Sequence, residues 1–429
     1  MKTAQRPTCF SKFNYNLGSV FSDAGSVGAG STAATKLCHS RPFDDHHFMS
    51  FPSTAPPAPA PSKLNTYPLR TPRFWHGMRA GLWWSLLAKN GFRVSPRRLH
   101  LALGVSVFTP FNDLLGLIQH VAHGRRIEKT VLERDPVFIL GHWRSGTTLM
   151  HELLVLDEQF ASPTTYACFA PWHFLVTEKL MVKFGSSLLP DKRPMDNMKA
   201  GWELPQEDEF ALMNLGAPTP YLRIAFPKSD SPWMNFLDMR HVEPRDLERW
   251  QRKLMWFVQA LTYQHSKQLV LKSPPHTGRV VQLLKMFPNA KFVHMVRDPR
   301  KLYASTLRLW QSLEDIQGMQ LEKDDSRLKA YVWECLTRMY SAFEEDRSQI
   351  PPGRIVDVHY EELVADPLKT VEQVYTQLAL GDFSKVSAAI AERFAADREY
   401  QVNEHRINPE LEAAVLANWA SYANRYGYA

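Results

Sequence analysis

The chain has 429 residues, of which 44% are hydrophobic, and its 24 Phe, 14 Tyr and 12 Trp are enough to bury a large core. Lys and Arg outnumber Asp and Glu by 51 to 44; the excess suits an anionic ligand but lacks the dense basic stripe of nucleic-acid-binding proteins, so nucleic acid is not expected as a partner. The four cysteines form no C-x-x-C pair, which indicates neither a zinc site nor a disulfide framework and favours a reducing compartment, the cytoplasm.

The first 70 residues differ in composition from the rest. They are rich in Ser, Gly, Ala and Pro and include the run STAPPAPAPS at 53–62. Such a segment cannot bury enough apolar surface to offset the entropy of ordering it, so we predict that residues 1–70 are disordered. These residues include few acids among Ser, Thr and scattered Lys and Arg, so an organelle-targeting sequence is the alternative interpretation.

Residues 71–135 are predicted to form a helical extension. Their most apolar stretch, Leu99–Val121, is long enough to suggest a transmembrane helix. Pro110, Asn112 and Asp113 interrupt this stretch at the middle, where the hydrocarbon of a bilayer would penalise them most. We therefore expect helices that pack on the core or contact a membrane surface peripherally, and of these two we favour packing.

Residues 136–429 contain short apolar runs that alternate with helical patterns. The runs are rich in β-branched or aromatic residues and lie at 136–140, 268–272, 291–296 and 354–360. Nearly continuous apolar strands that alternate with helices are typical of a parallel sheet covered on both faces. We therefore predict an α/β fold with a doubly wound central parallel sheet, whose ligands bind beyond the carboxyl ends of the strands.

A glycine-containing loop follows the first predicted strand and leads into a helical pattern. Its sequence, Gly141–Thr148, reads GHWRSGTT. The two glycines allow positive φ and bring backbone N–H groups close to an anion, to which the start of the helix adds partial positive charge. The threonine hydroxyls and the Arg144 guanidinium would complete a cradle for a phosphate–sulfate anhydride.

This loop differs from the P-loop of nucleotide hydrolases at one position. The spacing of Gly141 and Gly146 fits the G-x-x-x-x-G-K-[ST] pattern, but Thr147 stands where that pattern has lysine. A P-loop kinase or hydrolase would need the lysine and acidic metal ligands at a strand end, whereas the predicted strand ends carry Lys272 and Arg297. Such a kinase or hydrolase is the alternative enzyme class.

A second motif follows the predicted strand at 291–296. Arg297 stands at the carboxyl end of that strand, and Asp298 and Pro299 fit the N-cap and the first residue of a helix. Ser305 lies eight residues after Arg297, within the first two turns of this helix. Two such motifs in this order, each directly after its own strand, are stronger evidence for an anion-binding site than either short motif alone.

Together the two motifs resemble those of the sulfotransferases that use 3′-phosphoadenosine 5′-phosphosulfate (PAPS), and the resemblance extends from about 136 to about 380. It implies a P-loop-like catalytic domain at 136–429 that transfers a sulfuryl group from PAPS to an acceptor hydroxyl or amine without a metal ion. The 3′-phosphate of the donor would be bound by Arg297 and Ser305. The phosphosulfate group would be bound by Arg144, Ser145, Gly146, Thr147 and Thr148.

Three further positions follow from this resemblance. Lys272 resembles the family lysine that contacts the bridging or sulfuryl oxygens, and together with Arg144 it would stabilise the leaving phosphate during in-line attack. Tyr360 resembles the tyrosine beside the adenine ring. Arg406 would meet the 3′-phosphate, although it does not match the usual basic-Gly loop.

Three residues are candidates for the base that deprotonates the acceptor. In cytosolic relatives the base is a His two residues after the lysine, where this chain has Pro274; His276 follows two residues later, and histidine is a suitable base near neutral pH. Other branches use a glutamate, and the segment Trp202–Gly216 offers Glu203, Glu207, Asp208 and Glu209, of which Glu207 and Glu209 are the two candidates. We favour Glu207 over Glu209 and His276.

The acceptor is constrained only by the branch of the family. Leu149 stands where cytosolic sulfotransferases have a Trp that stacks on adenine, which indicates the carbohydrate, lipid or bacterial-type branch. We expect a small-molecule, glycan or lipid acceptor, with the aromatic-rich stretch Tyr221–Phe257 either covering its pocket or lying in the core. The alternative to an enzyme is a noncatalytic PAPS- or nucleotide-binding protein, which would keep the donor loops without the base. The sequence does not determine the oligomeric state.

Overall fold

The computed structural model describes residues 67–68, 71–190, 199–396 and 407–429. Almost all of the segment 1–70 lies outside these residues, as does Arg406, so the predictions made for them are untested. The boundaries of the helical extension and of the catalytic domain also stay predictions.

In the part of the chain that the structure describes, the strands form one parallel five-stranded sheet, which confirms the predicted α/β fold. The strand order is β2-β3-β1-β4-β5. The four predicted runs match β1, β3, β4 and β5 to within one residue at each end, whereas the two-residue edge strand β2 was missed because it is too short to show a pattern. The strands are β1 (Val137–Leu140), β2 (Phe160–Ala161), β3 (Gln268–Lys272), β4 (Lys291–Val296) and β5 (Ile355–His359).

Helices precede, connect and follow these strands. In chain order they are α1 (Ala80–Lys89), α2 (Leu99–Glu128), α3 (Thr147–Leu154), α4 (Thr165–Phe169), α5 (Phe174–Phe184), α6 (Asp208–Asn214), α7 (Pro244–His265), α8 (Val280–Met286), α9 (Pro299–Gln317), α10 (Ser326–Asp346), α11 (Tyr360–Ala365), α12 (Pro367–Leu378), α13 (Ser384–Ala396), α14 (Pro409–Asn418) and α15 (Ala420–Arg425).

Both faces of the sheet are buried, as the doubly wound fold requires. All four residues of β1 are buried, and because side chains alternate along a strand they divide between two hydrophobic clusters. Val137 and Ile139 pack in the cluster that contains α3 and α12, while Phe138 and Leu140 pack in the larger cluster that contains α6, α7 and α10. The near-continuous apolar composition of the strand follows from this burial on two sides.

The helices α1 and α2 lie between residues 71 and 135, and α2 continues through Pro110 without a break. A proline inside a helix cannot donate to the carbonyl four residues earlier, here Ser106, and the Thr109 hydroxyl donates to that carbonyl at 3.4 Å instead. The polar residue Asn112 points toward the protein, where its amide donates to the Met78 carbonyl at 2.7 Å. Among the described residues this helix, with the turn before it (Pro96–Glu128), is long and apolar enough to cross a membrane by length and composition.

The parallel order brings the predicted site residues to one edge of the sheet. Because β1 lies between β3 and β4, the residues that follow these three strands are neighbours at the carboxyl edge. Lys272 ends β3, the loop at 141–146 follows β1, and Arg297 follows β4. Ligands bind at this edge in open parallel sheets.

Candidate active site

The loop between β1 and α3 has a conformation in which an anion can approach its backbone. Gly141 and Gly146 have φ of 131° and 97°, and Arg144 between them also has a positive φ of 71°. The loop is tied back by a hydrogen bond from the Gly141 N–H to the Thr277 hydroxyl at 2.8 Å. The helix α3 begins at Thr147, and the N–H groups of a first helical turn have no partners within the helix, so they present partial positive charge to a ligand.

The two predicted donor motifs are in direct contact. The Arg144 guanidinium donates through Nε to the Ser305 hydroxyl at 2.9 Å. Arg297 donates through Nη1 to the backbone carbonyl of Arg144, also at 2.9 Å. As predicted, α9 begins at Pro299 with Asp298 as its N-cap, whose carboxylate accepts from the Arg300 N–H at 2.9 Å. Because α9 begins just after Arg297 and contains Ser305, its helical geometry sets the distance between these two residues.

Tyr360 lies against both motifs. The Arg297 guanidinium stacks over its ring at 4.1 Å from the centroid, and a Cβ at Gly146 would come within 2.5 Å of its Cδ2 atom. Burial lowers the pKa of Arg297 from its ordinary value, and the nearby Tyr360 opposes this effect. The ring of Tyr360 therefore leaves room only for a glycine at position 146, and it orients the guanidinium of Arg297.

Lys272 and Glu207 form an ion pair at the end of β3. The lysine Nζ lies 2.8 Å from Glu207 Oε1, and the side chain of Lys272 is only 3% exposed. The Tyr221 hydroxyl donates to Glu207 Oε2 at 2.5 Å, and it accepts from Trp143 Nε1 at 2.8 Å. Burial, followed by the Glu207 charge, raises the pKa of Tyr221 well above its ordinary value, so Tyr221 is a neutral donor.

The carboxylates that follow Glu207 are enclosed. Asp208 contacts His276 Nε2 at 2.7 Å, and both side chains are fully buried. Burial would raise the pKa of Asp208, but its contacts with His276 and Ser273 outweigh this and lower it. Glu209 accepts from Arg279 Nη1 at 2.6 Å, and this pair is also fully buried. Of the three candidate bases only Glu207 is partly exposed, with 14% of its side chain accessible.

Sequence reasoning did not identify Trp143 or Arg279 as members of this site, and it placed Tyr221 only at the start of the aromatic stretch predicted to cover the acceptor pocket or lie in the core. Tyr221 lies 14 residues from Glu207, Arg279 lies 70 from Glu209, and Trp143 lies 78 from Tyr221. None of these separations belongs to a local motif. The one available signal was that Trp143 lies inside the glycine loop.

The aromatic stretch Tyr221–Phe257 divides between core and cavity. Phe236 and Trp250 are fully buried in the larger cluster. Trp233 lines a cavity of about 640 Å³, which contacts none of the three candidate bases. Other residues that line this cavity are Met78, Leu82, Leu86, Leu222 and Phe226. Most of the stretch thus packs as core.

The described residues contain no cluster of three or more His, Cys, Asp or Glu arranged to hold a metal ion.

Comparison with known proteins gives a consistent result. Residues 136–384 match a family model described as the sulfotransferase family. The chain is 39% identical over 358 residues to the omega-hydroxy-beta-dihydromenaquinone-9 sulfotransferases of Mycobacterium bovis and Mycobacterium tuberculosis, an alignment that covers 82% of this chain and 91% of each relative.

Two solved structures show the same fold. A sulfotransferase from Mycobacterium avium has a TM-score of 0.55 at 18% identity and covers 81% of this chain and 96% of its own. Another, from Mycobacterium tuberculosis, has a TM-score of 0.52 at 16% identity and covers 80% of this chain and 90% of its own. These likenesses confirm the predicted P-loop-like core.

Proposed function

The chain belongs to the sulfotransferase family, and on that premise we propose that it transfers a sulfuryl group from PAPS to the hydroxyl of a lipid acceptor. The observation that carries the donor assignment is the contact between the two motifs, in which Arg144 donates to Ser305 and Arg297 donates to the Arg144 carbonyl. A single ligand with phosphate groups at both ends would be bound by both motifs. The nucleotide of PAPS has this arrangement.

The donor fits the residues present. The positive φ at Gly146 and the N-terminus of α3 form a cradle for the phosphosulfate group, with Arg144, Ser145, Thr147 and Thr148 around it. Arg297 and Ser305 would bind the 3′-phosphate, and Tyr360 would lie beside the adenine. PAPS supplies the activated sulfuryl group when bound.

Glu207 is the proposed base. Its two oxygens accept hydrogen bonds from Lys272 and Tyr221, which orient the carboxylate, and it is the one candidate base that solvent reaches. The acceptor oxygen attacks sulfur as its proton passes to Glu207, and the bond from sulfur to the phosphate oxygen breaks. Lys272 and Arg144 then stabilise the negative charge that develops on the departing phosphate.

The relatives and one residue of α3 support the proposed acceptor class. The two relatives at 39% identity are named for a hydroxylated dihydromenaquinone, which is a lipid alcohol. Leu149, at the first turn of α3, lacks the indole that cytosolic members stack on adenine. We propose a terminal hydroxyl on a long isoprenoid quinone or a similar lipid as the acceptor.

Transfer of labelled sulfate from PAPS to a hydroxylated menaquinone in detergent tests this function. Glu207→Gln should lower kcat by about 10²- to 10⁴-fold, because an amide cannot accept the proton. It should leave the Kd of 3′-phosphoadenosine 5′-phosphate unchanged. The matched control is Glu203→Gln, which removes the same charge from an exposed residue of the same segment. An unchanged kcat in Glu207→Gln would refute the base assignment.

Thermal shift separates the alternative functions. Stabilisation by 3′-phosphoadenosine 5′-phosphate but not by ADP with Mg²⁺ is expected for a sulfotransferase, and the reverse would favour a P-loop kinase or hydrolase. Binding of the spent donor without transfer to any lipid, glycan or small-molecule alcohol would indicate a noncatalytic binding protein.

A further inference from the structure

The outer face of α2 is a continuous apolar stripe. Its side chains are between 46% and 79% exposed and recur every three or four residues, so they lie on one side of the helix. At about 1.5 Å per residue the stripe is roughly 27 Å long. It consists of Leu103, Val107, Phe111, Leu114, Ile118 and Val121.

A second apolar stripe lies on the neighbouring helix α5. Val176, Leu180 and Phe184 are spaced by four residues and are exposed, with Phe184 66% accessible. The start of α5 is joined to α2 by a hydrogen bond from the Leu175 N–H to the Gln119 side chain at 2.9 Å. Two adjacent helices thus carry exposed apolar residues in rows, whereas an ordinary protein surface carries them singly and scattered.

The charges around these stripes are mostly positive. Residues 79–129 contain eight Lys and Arg but only two acids. One of the acids, Asp113, is paired with Arg79. Exposed arginines stand at both ends of the α2 stripe, at Arg97 before it and at Arg125 and Arg126 after it. On α5 the exposed residues Lys179 and Lys183 lie beside Leu180 and Phe184.

The opposite face of α2 is attached to the folded protein along its length. Val105 is fully buried, Asn112 donates to the Met78 carbonyl, and Gln119 accepts from α5. Because this face is held against the folded protein, a bilayer could not surround the helix on all sides, although its length and composition would suffice for a span. It can lie in the plane of a bilayer with its free face in the headgroup region.

We propose that the outer faces of α2 and α5 form a docking surface for an anionic lipid bilayer. Apolar side chains would enter the interface while the surrounding Lys and Arg bind acidic headgroups. The surface is linked to the segment that carries Glu207, because Trp202 donates to the carbonyl of Gly185 at the end of α5, and Trp202 lies five residues before Glu207. Binding to a lipid surface in this way requires neither the acceptor nor the donor.

Vesicle flotation tests the docking surface without activity. The full chain should bind vesicles of phosphatidylcholine with phosphatidylglycerol better than phosphatidylcholine alone, and high salt should weaken the binding because it screens the charges. Val107→Asp combined with Val121→Asp should reduce the partition coefficient at least about tenfold, since both side chains would enter the interface.

The matched control is Val364→Asp combined with Leu368→Asp, which places the same two charges at exposed apolar residues of α11 and α12. Melting temperatures of both double variants show whether each remains folded. Equal vesicle binding by the two variants, or no binding by the wild-type chain, overturns the proposal. A wild-type dimer in light scattering that Val107→Asp/Val121→Asp converts to a monomer, without vesicle binding, would identify the surface as an interface between two copies instead.

Discussion

Gly146 illustrates how a single position constrains the loop between β1 and α3. Its φ of 97° is a conformation that side chains with a Cβ disfavour, and the Tyr360 ring occupies the space where that Cβ would lie. Tyr360 also orients Arg297. The glycine therefore permits both the turn and the approach of the aromatic ring.

Gly146→Ala should weaken the binding of 3′-phosphoadenosine 5′-phosphate at least about tenfold, because the loop or Tyr360 must move. Gly353→Ala is the matched control, since Gly353 has a φ of 75° but no atom within 4 Å of its added Cβ. The control should lose about 1–2 kcal/mol of unfolding free energy through backbone strain and keep donor affinity. Calorimetric titration of both variants checks this, and equal affinities would contradict it.

At the scale of elements, the start of α6 assigns three consecutive carboxylates to different partners. Glu207 faces Lys272 and Tyr221 at the partly exposed end, while Asp208 and Glu209 turn inward to His276 and Arg279. The inward pairs join α6 to the turn at 274–279 that follows β3. They position the helix, and Glu207 with it.

Glu209→Gln should lower the free energy of unfolding by about 3 kcal/mol, because it leaves Arg279 as a buried charge without its carboxylate. The kcat of the folded variant should stay within a few-fold of wild type. Glu345→Gln is the control, because its pair with Arg240 is exposed and should contribute less than about 1 kcal/mol. Denaturant titration and kcat together check this; a large loss of kcat at unchanged stability would instead assign Glu209 to the chemistry.

At the scale of the whole molecule, buried histidines link stability to pH. Burial lowers the pKa of His76, His142 and His173 to about 4 and that of His151 to about 3. An unfolded chain would protonate them near pH 6.5. Because the unfolded state then binds more protons than the folded state, stability falls as pH decreases from about 6.5 towards about 4.

His151 alone should cost about 2 kcal/mol of unfolding free energy between pH 7 and pH 5. His151→Gln keeps a donor for the Val270 carbonyl, which lies 3.2 Å from the His151 ring, but it does not titrate. We expect a shallower decline of stability with pH in this variant, measured by denaturant titration at the two pH values. Parallel declines in variant and wild type would show that His151 is not responsible.

Fold and site differ in how far the sequence could predict them. The strands β1, β3, β4 and β5 were recognisable because burial on both faces gives uninterrupted apolar runs. The helix start at Asp298 and Pro299 was recognisable because capping depends on adjacent residues. The surroundings of Glu207, Glu209 and His276 were not, since their side-chain partners lie 10 to 70 residues away along the chain.

The sequence by itself determined the parallel sheet and the family and located the two motifs predicted to bind anions, because each depends on contiguous residues whose spacing sets local geometry. Only the tertiary structure decided that Glu207 faces solvent beside Lys272 while Glu209 is enclosed by Arg279. It also decided which face of α2 is covered, as composition alone cannot distinguish a helix packed on one side from one that crosses a bilayer. Burial is set by non-local packing, and packing exists only once the chain has folded.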